Sequence, residues 1–283
     1  MVSDLISALL IAVVQGFTEW LPVSSSGHLV LVERVLGYSG GLMFDVALHF
    51  GTLMAVFVYF GEDIVDIVRD LLSGKWGSEN GRLGLLVLVA TIPAALVGFL
   101  LRNVFEGVFN SLGIAALGFG VTGLFLLIGS FSSGGGASSS YNHKQEGKRL
   151  SRKDRFGLMD GKKFGWRSAL LVGCAQVFAL FPGVSRSGST LSSGLLLGLN
   201  EKAAMKFAFL MSIPVIFGAN ILIIGTKTLP SELIWATLVA FVVGLITIHL
   251  LYNYILTSRK NLRWFAGYAL LLGLGLGLFV IFS

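Results

Sequence analysis

The sequence predicts an all-α, polytopic integral membrane protein with inverted-topology repeats, two re-entrant broken-helix segments and about six full crossings. Three observations lead to this fold class: the composition, a series of long apolar runs, and two polar breaks with similar sequences. Hydrophobic residues make up 54% of the 283 residues. A chain of this length carries more apolar surface than one soluble core can bury, so its solvent is predicted to be lipid.

Six apolar runs are long enough to cross about 30 Å of hydrocarbon as helices. They are 44–60, 83–101, 112–131, 203–224, 233–251 and 264–282. The opening run, 5–14, is too short to span and lacks the basic start of a signal peptide, so it is predicted to dip into the membrane. A single cysteine, Cys174, excludes a disulfide within the chain.

The net charge of +6 is concentrated in particular loops. Nine lysines and arginines lie between 144 and 167, and three more lie between 259 and 263. Six crossings place both clusters on one side, which the positive-inside rule assigns to the cytoplasm of a cell membrane. The N-terminus and the first break then face outward. Basic loops of this kind are typical of the cytoplasmic side of a membrane protein, where they contact anionic lipids, and the pattern argues against nucleic-acid binding.

The segment after the third crossing is first rich in Gly and Ser and then in charge, which predicts a flexible, basic cytoplasmic linker at 132–164. The linker divides a single membrane domain, 1–283, into a first half, 1–131, and a second half, 165–283. Each half contains one short broken segment followed by three crossings, so the second half is predicted to be inverted relative to the first. The sequence leaves homodimerisation open.

The two breaks, 15–28 and 176–190, are similar when one is shifted along the other. Gln15 then matches Gln176, Ser24 matches Ser185, and Gly27 matches Gly188. Non-helical backbone at membrane depth is tolerated only where protein or a wet cavity surrounds it, so the two breaks are predicted to meet there. A chance match between apolar segments is the alternative.

The first break begins with Gln15 and Glu19, which are four residues apart and share one face of a helix. Pro22 then ends that helix. A carboxylate beside a broken helix is a candidate metal or proton site. The alternative is an ordinary interfacial residue beside Trp20, an aromatic residue of the kind found at headgroup level.

The serines of the first break, Ser24, Ser25 and Ser26, are followed by Gly27 and His28. Their hydroxyl groups and the free N–H groups of the next helix form a cradle for phosphate oxygens, although serines also cap helices without any chemistry. His28 has the residue type for an acid, a base or a nucleophile near neutral pH.

The second break supplies a positive charge, Arg186. A lone arginine in apolar surroundings costs about 2.5 to 3.5 kcal/mol on the insertion scale, so an anion is expected beside it. Glu19 is one candidate and a phosphate is the other, since the guanidinium fork suits bidentate phosphate binding. Ser185, Ser187 and Thr190 add hydroxyl groups. Together the two breaks indicate a phosphate ester or diphosphate ligand.

These two stretches resemble the signature motifs of the undecaprenyl-diphosphate phosphatase family, the bacitracin-resistance membrane phosphatases. Residues 15–28 match (Glu/Gln)-x-x-x-Glu, and residues 182–190 match Pro-Gly-x-Ser-Arg-Ser-x-x-Thr. Similarity extends through 44–52 and 207–218. The resemblance implies hydrolysis of undecaprenyl (polyprenyl) diphosphate to the monophosphate carrier lipid at the outer face. That reaction recycles the carrier for cell-wall biogenesis, with help from a divalent cation (Mg, Ca or Mn).

The resemblance also implies roles for residues. The catalytic set is Glu19, Ser25, His28 and Arg186, and the phosphate-binding set is Ser24, Ser26, Gly27, Ser185, Ser187 and Thr190. Glu19 and Gln15 would hold the cation, with one charge fewer than in members that have glutamate at position 15. Ser25 is favoured as nucleophile with His28 as general acid or base, while attack by His28 or by water remains open.

Two other functions use similar residues. A transporter or flippase of a polyprenyl phosphate lipid would share the repeats and the anion cradle. Transport needs Arg186 but has no evident need for Ser25 together with His28. An anion channel is disfavoured because Glu19 would repel the permeant ion.

Overall fold

The computed structural model describes residues 2–38, 40–132, 164–224 and 231–282, and within these residues every regular element is helical. The α-helices are α1 (Val2–Thr18), α2 (Ser25–Leu36), α3 (Gly41–Tyr59), α4 (Gly61–Leu72), α5 (Glu79–Leu100), α6 (Arg102–Val108), α7 (Leu112–Ser130), α8 (Trp166–Val177), α9 (Arg186–Leu196), α10 (Glu201–Ile224), α11 (Ser231–Leu250) and α12 (Leu262–Phe282). All but the two end residues of the predicted linker lie outside the described residues, so the division into halves stays a prediction.

Four helices of the described part are long and apolar enough to cross a membrane: α5, α7, α11 and α12. The number is five if α3 and α4 form one span, although these two helices meet at an angle of 82°. Their lipid-facing sides carry exposed apolar residues, such as Leu271 and Leu274 on α12. An all-helical, multi-pass membrane protein is thereby confirmed, while the number of six crossings stays a prediction.

Both polar breaks interrupt the helices in the same way. The first separates α1 from α2, and the second separates α8 from α9. Each new helix is capped by the serine that precedes it. The Ser24 hydroxyl accepts from the Gly27 N–H at 3.3 Å, and the Ser185 hydroxyl accepts from the Gly188 N–H at 3.0 Å. The Ser24 cap has a φ of 71°, a strained conformation for a residue other than glycine.

Each helix that leads into a break packs against a long helix from the other half of the chain. Helix α1 belongs to the first half and lies against α11 of the second half. Helix α8 belongs to the second half and lies against α5 of the first half. Small residues allow both contacts to be close. A Cβ placed on Gly16 would lie 3.1 Å from the Ala240 carbonyl oxygen, and one on Gly173 would lie 2.2 Å from the Ala90 carbonyl oxygen. Each half of the chain therefore supplies one wall for the other half's broken segment.

Candidate active site

The two breaks contact each other directly. The Ser187 hydroxyl donates to the Leu21 carbonyl oxygen at 3.1 Å, across the two breaks. A Cβ on Gly27 would lie 2.9 Å from the Gly183 Cα, so only glycine allows this approach. Thr122 of α7 holds the second break by donating to the Gly183 carbonyl and accepting from the Ser185 N–H, each at 2.8 Å. Residues from distant parts of the chain thereby form one site.

Glu19 lies at the centre of this site, with 5% of its surface exposed. Its Oε1 accepts a hydrogen bond from Arg186 Nη2 at 2.5 Å. Its Oε2 accepts from Gln15 Nε2 at 3.0 Å and from Ser25 Oγ at 2.6 Å. His49 Nε2 lies 3.4 Å from the same Oε2. Arg186 thus pairs with Glu19, which is one of the two anions that the sequence proposed for it, the other being a phosphate.

The hydrogen bonds of Glu19 and Gln15 bear on the predicted cation site. Both carboxylate oxygens already accept from N–H or O–H donors, and the nearest charge is the guanidinium of Arg186. Gln15 is fully buried and turns its amide N–H toward the carboxylate instead of its oxygen. Within the described residues, no three His, Cys, Asp or Glu side chains are grouped as they would be around a metal. Gln15 Oε1 is buried without a hydrogen-bond partner among the described residues, and cation binding by Glu19 and Gln15 stays a prediction.

A cavity of about 300 Å³ opens beside Glu19. Its polar lining consists of Glu19, Ser25, Ser26, Asp45, His49, Ser185, Arg186 and Asn220. Its apolar lining consists of Phe109, Ala179, Leu180, Val184, Val46, Val215 and Ile216. A charged head with several acceptor oxygens fits the first set, and the beginning of a hydrocarbon chain fits the second.

The remaining predicted phosphate-binding residues lie behind this lining. Ser24 caps α2, and its hydroxyl is 3.3 Å from that of Ser26. Ser187 lies 3.2 Å from the hydroxyl of Ser185, and Thr190 donates to the Arg186 carbonyl at 2.7 Å. Their hydroxyl groups shape the two breaks and orient Ser185 and Arg186.

His28 is not among the residues that line the cavity. Its Nδ1 lies 2.6 Å from the Ser24 carbonyl oxygen, which can only accept, so Nδ1 carries a proton and donates. Its Nε2 lies 2.7 Å from the Tyr268 hydroxyl of α12, and Phe119 contacts the ring edge to face. The imidazole thus joins the start of α2 to α7 and α12, and its role in catalysis stays a prediction.

His49 is the histidine that lines the cavity, and the sequence-based reasoning gave it no role. Its Nδ1 donates to the Asp45 carbonyl oxygen at 2.7 Å, which directs Nε2 toward Glu19. Ser25 Oγ and His49 Nε2 approach the same carboxylate oxygen. The sequence contained a signal for His49, because an ionisable residue within a predicted crossing is a functional candidate by default.

The fold and the site together define a polytopic membrane protein with an anion-binding cavity at the junction of two broken helices. The model of the family described as bacitracin resistance protein BacA matches residues 8–275. The chain belongs to this family, the undecaprenyl-diphosphate phosphatases.

Several curated relatives resemble this chain over most of its length, and each carries the name undecaprenyl-diphosphatase. The relative from Trichlorobacter lovleyi is 43% identical over 223 residues, which cover 77% of this chain and 74% of that protein. The one from Methanosphaera stadtmanae is 34% identical over 289 residues, or 96% of each chain. The one from Rubrobacter xylanophilus is 39% identical over 280 residues, or 94% of each chain.

Proposed function

We propose that this protein hydrolyses undecaprenyl diphosphate to undecaprenyl monophosphate and inorganic phosphate. The observation that carries the proposal is the Ser25 hydroxyl, which donates to a buried carboxylate at 2.6 Å inside a cavity that also contains Arg186. A nucleophile beside its base is the arrangement that covalent catalysis requires. The activity is also that of the family to which the chain belongs.

Ser25 Oγ attacks the terminal phosphorus of the diphosphate. As the new O–P bond forms, the hydroxyl proton passes to Glu19 Oε2, and the bond from phosphorus to the bridging oxygen breaks. Undecaprenyl monophosphate leaves with the bridging oxygen and takes up the proton from Glu19. Water then attacks the phosphoserine and gives one proton to Glu19, which passes it to Ser25 Oγ as the serine O–P bond breaks, so that inorganic phosphate is released and the Ser25 hydroxyl is restored.

Positive charge and N–H groups stabilise the phosphoryl oxygens during transfer. Arg186 lines the cavity and has five N–H donors, so it can hold Glu19 and a phosphate together or exchange one for the other. Ser25 and Ser26 are the first residues of α2, where N–H groups lack partners within the helix. His49 is placed beside the oxygen that receives the proton.

Phosphate release by the purified protein in detergent tests this function. Undecaprenyl diphosphate should yield equal amounts of phosphate and undecaprenyl monophosphate. Detergent removes the two membrane sides, so a flippase that performs no chemistry would release no phosphate. Substrate binding without release would therefore support a transporter instead.

We also propose the finer topology: six crossings, two inverted halves and a site that opens to the outer side of the cell membrane. The charge distribution and the matching serine caps of the two breaks support it. The exchanged packing of α1 on α11 and α8 on α5 also supports it.

Cysteine labelling checks this topology. In a Cys174→Ala background, Gln145→Cys is expected to react with a membrane-impermeant thiol reagent only from the cytoplasmic side. Ser3→Cys should react only from outside, because three crossings, an odd number, separate the N-terminus from the cytoplasmic linker. Labelling of both positions from one side would contradict six crossings. The Cys174→Ala protein without a new cysteine is the background control.

A further inference from the structure

Helix α4 follows α3 along the chain but leaves it at an angle of 82°. Helix α3 nearly spans the hydrocarbon by itself, because its 19 residues make about 28 Å of helix against a thickness of about 30 Å. Little of α4 is therefore needed to complete the crossing. A helix at nearly a right angle to a crossing lies close to the membrane plane, so one of its long sides faces lipid and the other faces water.

One part of the surface of α4 packs against the protein. Ile67 is buried in the core, and Ile64 and Leu71 pack against the same cluster. The contact with α5 is close, since a Cβ on Gly84 would lie 2.7 Å from Ile67 Cγ2 and 2.8 Å from Leu71 Cδ1. These residues fix which side of α4 is turned toward α5.

A second group of apolar residues on α4 is exposed. Val65, Val68 and Leu72 have 55%, 47% and 84% of their surface exposed. They are three and four residues apart, so they form one strip along the helix, which we call the exposed strip. At about 100° per residue, the exposed strip lies next to the packed residues, and the two groups together cover about 160° of the helix circumference. Trp76, just after α4, is also exposed, and its Nε1 donates to the Leu71 carbonyl oxygen at 3.1 Å.

The other side of α4 is charged. Asp63 Oδ2 lies 2.8 Å from Lys206 Nζ of α10, and Arg69 Nη1 donates to Asp66 at 3.4 Å. The charged residues share an arc of about 120°, on the side away from the exposed strip. They are Glu62, Asp63, Asp66, Arg69 and Asp70. A helix with one apolar side and one strongly charged side is suited to the boundary between lipid and water.

We propose that α4 is an interfacial helix, whose exposed strip is buried among the acyl chains just beneath the head groups of one leaflet. Trp76 then lies at the level of the head groups, where tryptophan is enriched. Helix α3 makes the crossing, and α4 is not a continuation of it through the membrane. The proposed topology makes this the cytoplasmic leaflet, but the interfacial position depends neither on that topology nor on the proposed function.

The occupant of the exposed strip is lipid hydrocarbon and not an anionic head group. Helix α4 has four acidic residues and one basic residue, so its charge does not attract anionic lipids. Its neighbour α5 is one of the helices that can cross the membrane. Immediately after Gly84, which contacts α4, α5 exposes Leu85 and then Leu88. The exposed strip is therefore next to a helix that itself presents apolar side chains to lipid.

Spin-label accessibility in lipid nanodiscs tests the proposal. In a Cys174→Ala background, a nitroxide is attached to Val65→Cys, Val68→Cys or Leu72→Cys, one position at a time. The matched controls are Glu62→Cys and Arg69→Cys, which are exposed positions on the charged side of the same helix. Collision of the nitroxide with molecular oxygen, which concentrates in lipid, is compared with its collision with a nickel chelate that stays in water.

The ratio of oxygen to nickel collisions should be at least about threefold higher in the exposed strip than at the two control positions, because the apolar side of an interfacial helix is buried by about 5 to 10 Å. The ratio should not change when anionic lipid replaces zwitterionic lipid. A Tm close to that of the Cys174→Ala protein shows that each labelled variant folds.

Three results would overturn the proposal. Equal nickel collision at all five positions would mean that α4 stands in water. Oxygen-dominated collision at all five, including Glu62→Cys and Arg69→Cys, would mean that α4 is inserted as part of a bent span. Low collision with both reagents in the exposed strip would mean that protein covers it, and spin–spin broadening that disappears on dilution with unlabelled protein would identify that protein as a second copy of the chain.

Discussion

Replacing Ser25 with alanine is expected to abolish phosphate release, with a loss of at least about a thousandfold in turnover. The change removes the oxygen that forms the bond to phosphorus. It leaves Glu19, Arg186 and the N–H groups of α2 in place, so substrate should still bind. Turnover and substrate binding, measured separately on purified protein, check this expectation.

Trapping of the covalent intermediate is an independent test of Ser25 as the nucleophile. Rapid acid quench of the unaltered enzyme with substrate labelled on the terminal phosphate should yield acid-stable phosphoserine at position 25. Ser26→Ala is the matched control, because Ser26 also lines the cavity but makes no hydrogen bond to Glu19. Phosphohistidine at His28 or His49 would contradict attack by Ser25. Absence of any adduct, when intermediates accumulate, would favour direct attack by water.

The membrane class and the two breaks were accessible from sequence, because both depend on local chemistry. Long apolar runs indicate helices that cross lipid. Pro22 interrupts the first helix, and a serine cap begins the next one. The presence of an anion beside Arg186 followed from a general argument, since a buried guanidinium requires one. The sequence did not decide whether that anion is Glu19 or a ligand.

The histidines show what the sequence could not provide. Ser25 and His28 are three residues apart and so lie on adjacent parts of one helix face, which favoured their pairing. The position of the imidazole is decided instead by the Tyr268 hydroxyl, 240 residues away in the chain. His49 reaches Glu19 because α3 packs next to the first break. The placements of His28 and His49 both depend on tertiary contacts, which cannot be inferred from residue spacing within one helix.

The bend after α3 was also missed. The sequence predicted a crossing that ends at Phe60 and no element after it, whereas α4 follows as a helix at 82° to α3. Its signal was present: Ile64, Ile67, Val68 and Leu71 recur at helical spacing among charged residues, the pattern of an amphipathic helix.

Glu19→Gln is expected to reduce hydrolysis by about 10² to 10⁴-fold, the usual contribution of a positioned acid or base. The amide is nearly the same size as the carboxylate, but its oxygen is a poor acceptor for the Ser25 proton, and it offers no negative charge to Arg186. The purified variant should therefore bind the diphosphate at least as well, because Arg186 no longer has a competing anion. Single-turnover rates and substrate affinity are the measurements that separate these effects.

Folding must be measured alongside, because removal of one partner of a buried ion pair destabilises by roughly 3 to 5 kcal/mol. Glu19→Asp is the matched control, since it keeps the charge beside Arg186 while withdrawing the carboxylate from Ser25. If Glu19 accepts the serine proton, the aspartate variant should fold normally and still lose most of its turnover. If Glu19 acts only as the partner of Arg186, Glu19→Asp should be nearly fully active, and the base would have to be sought at His49. Added divalent cation should rescue neither variant, because the carboxylate acts on the proton of Ser25.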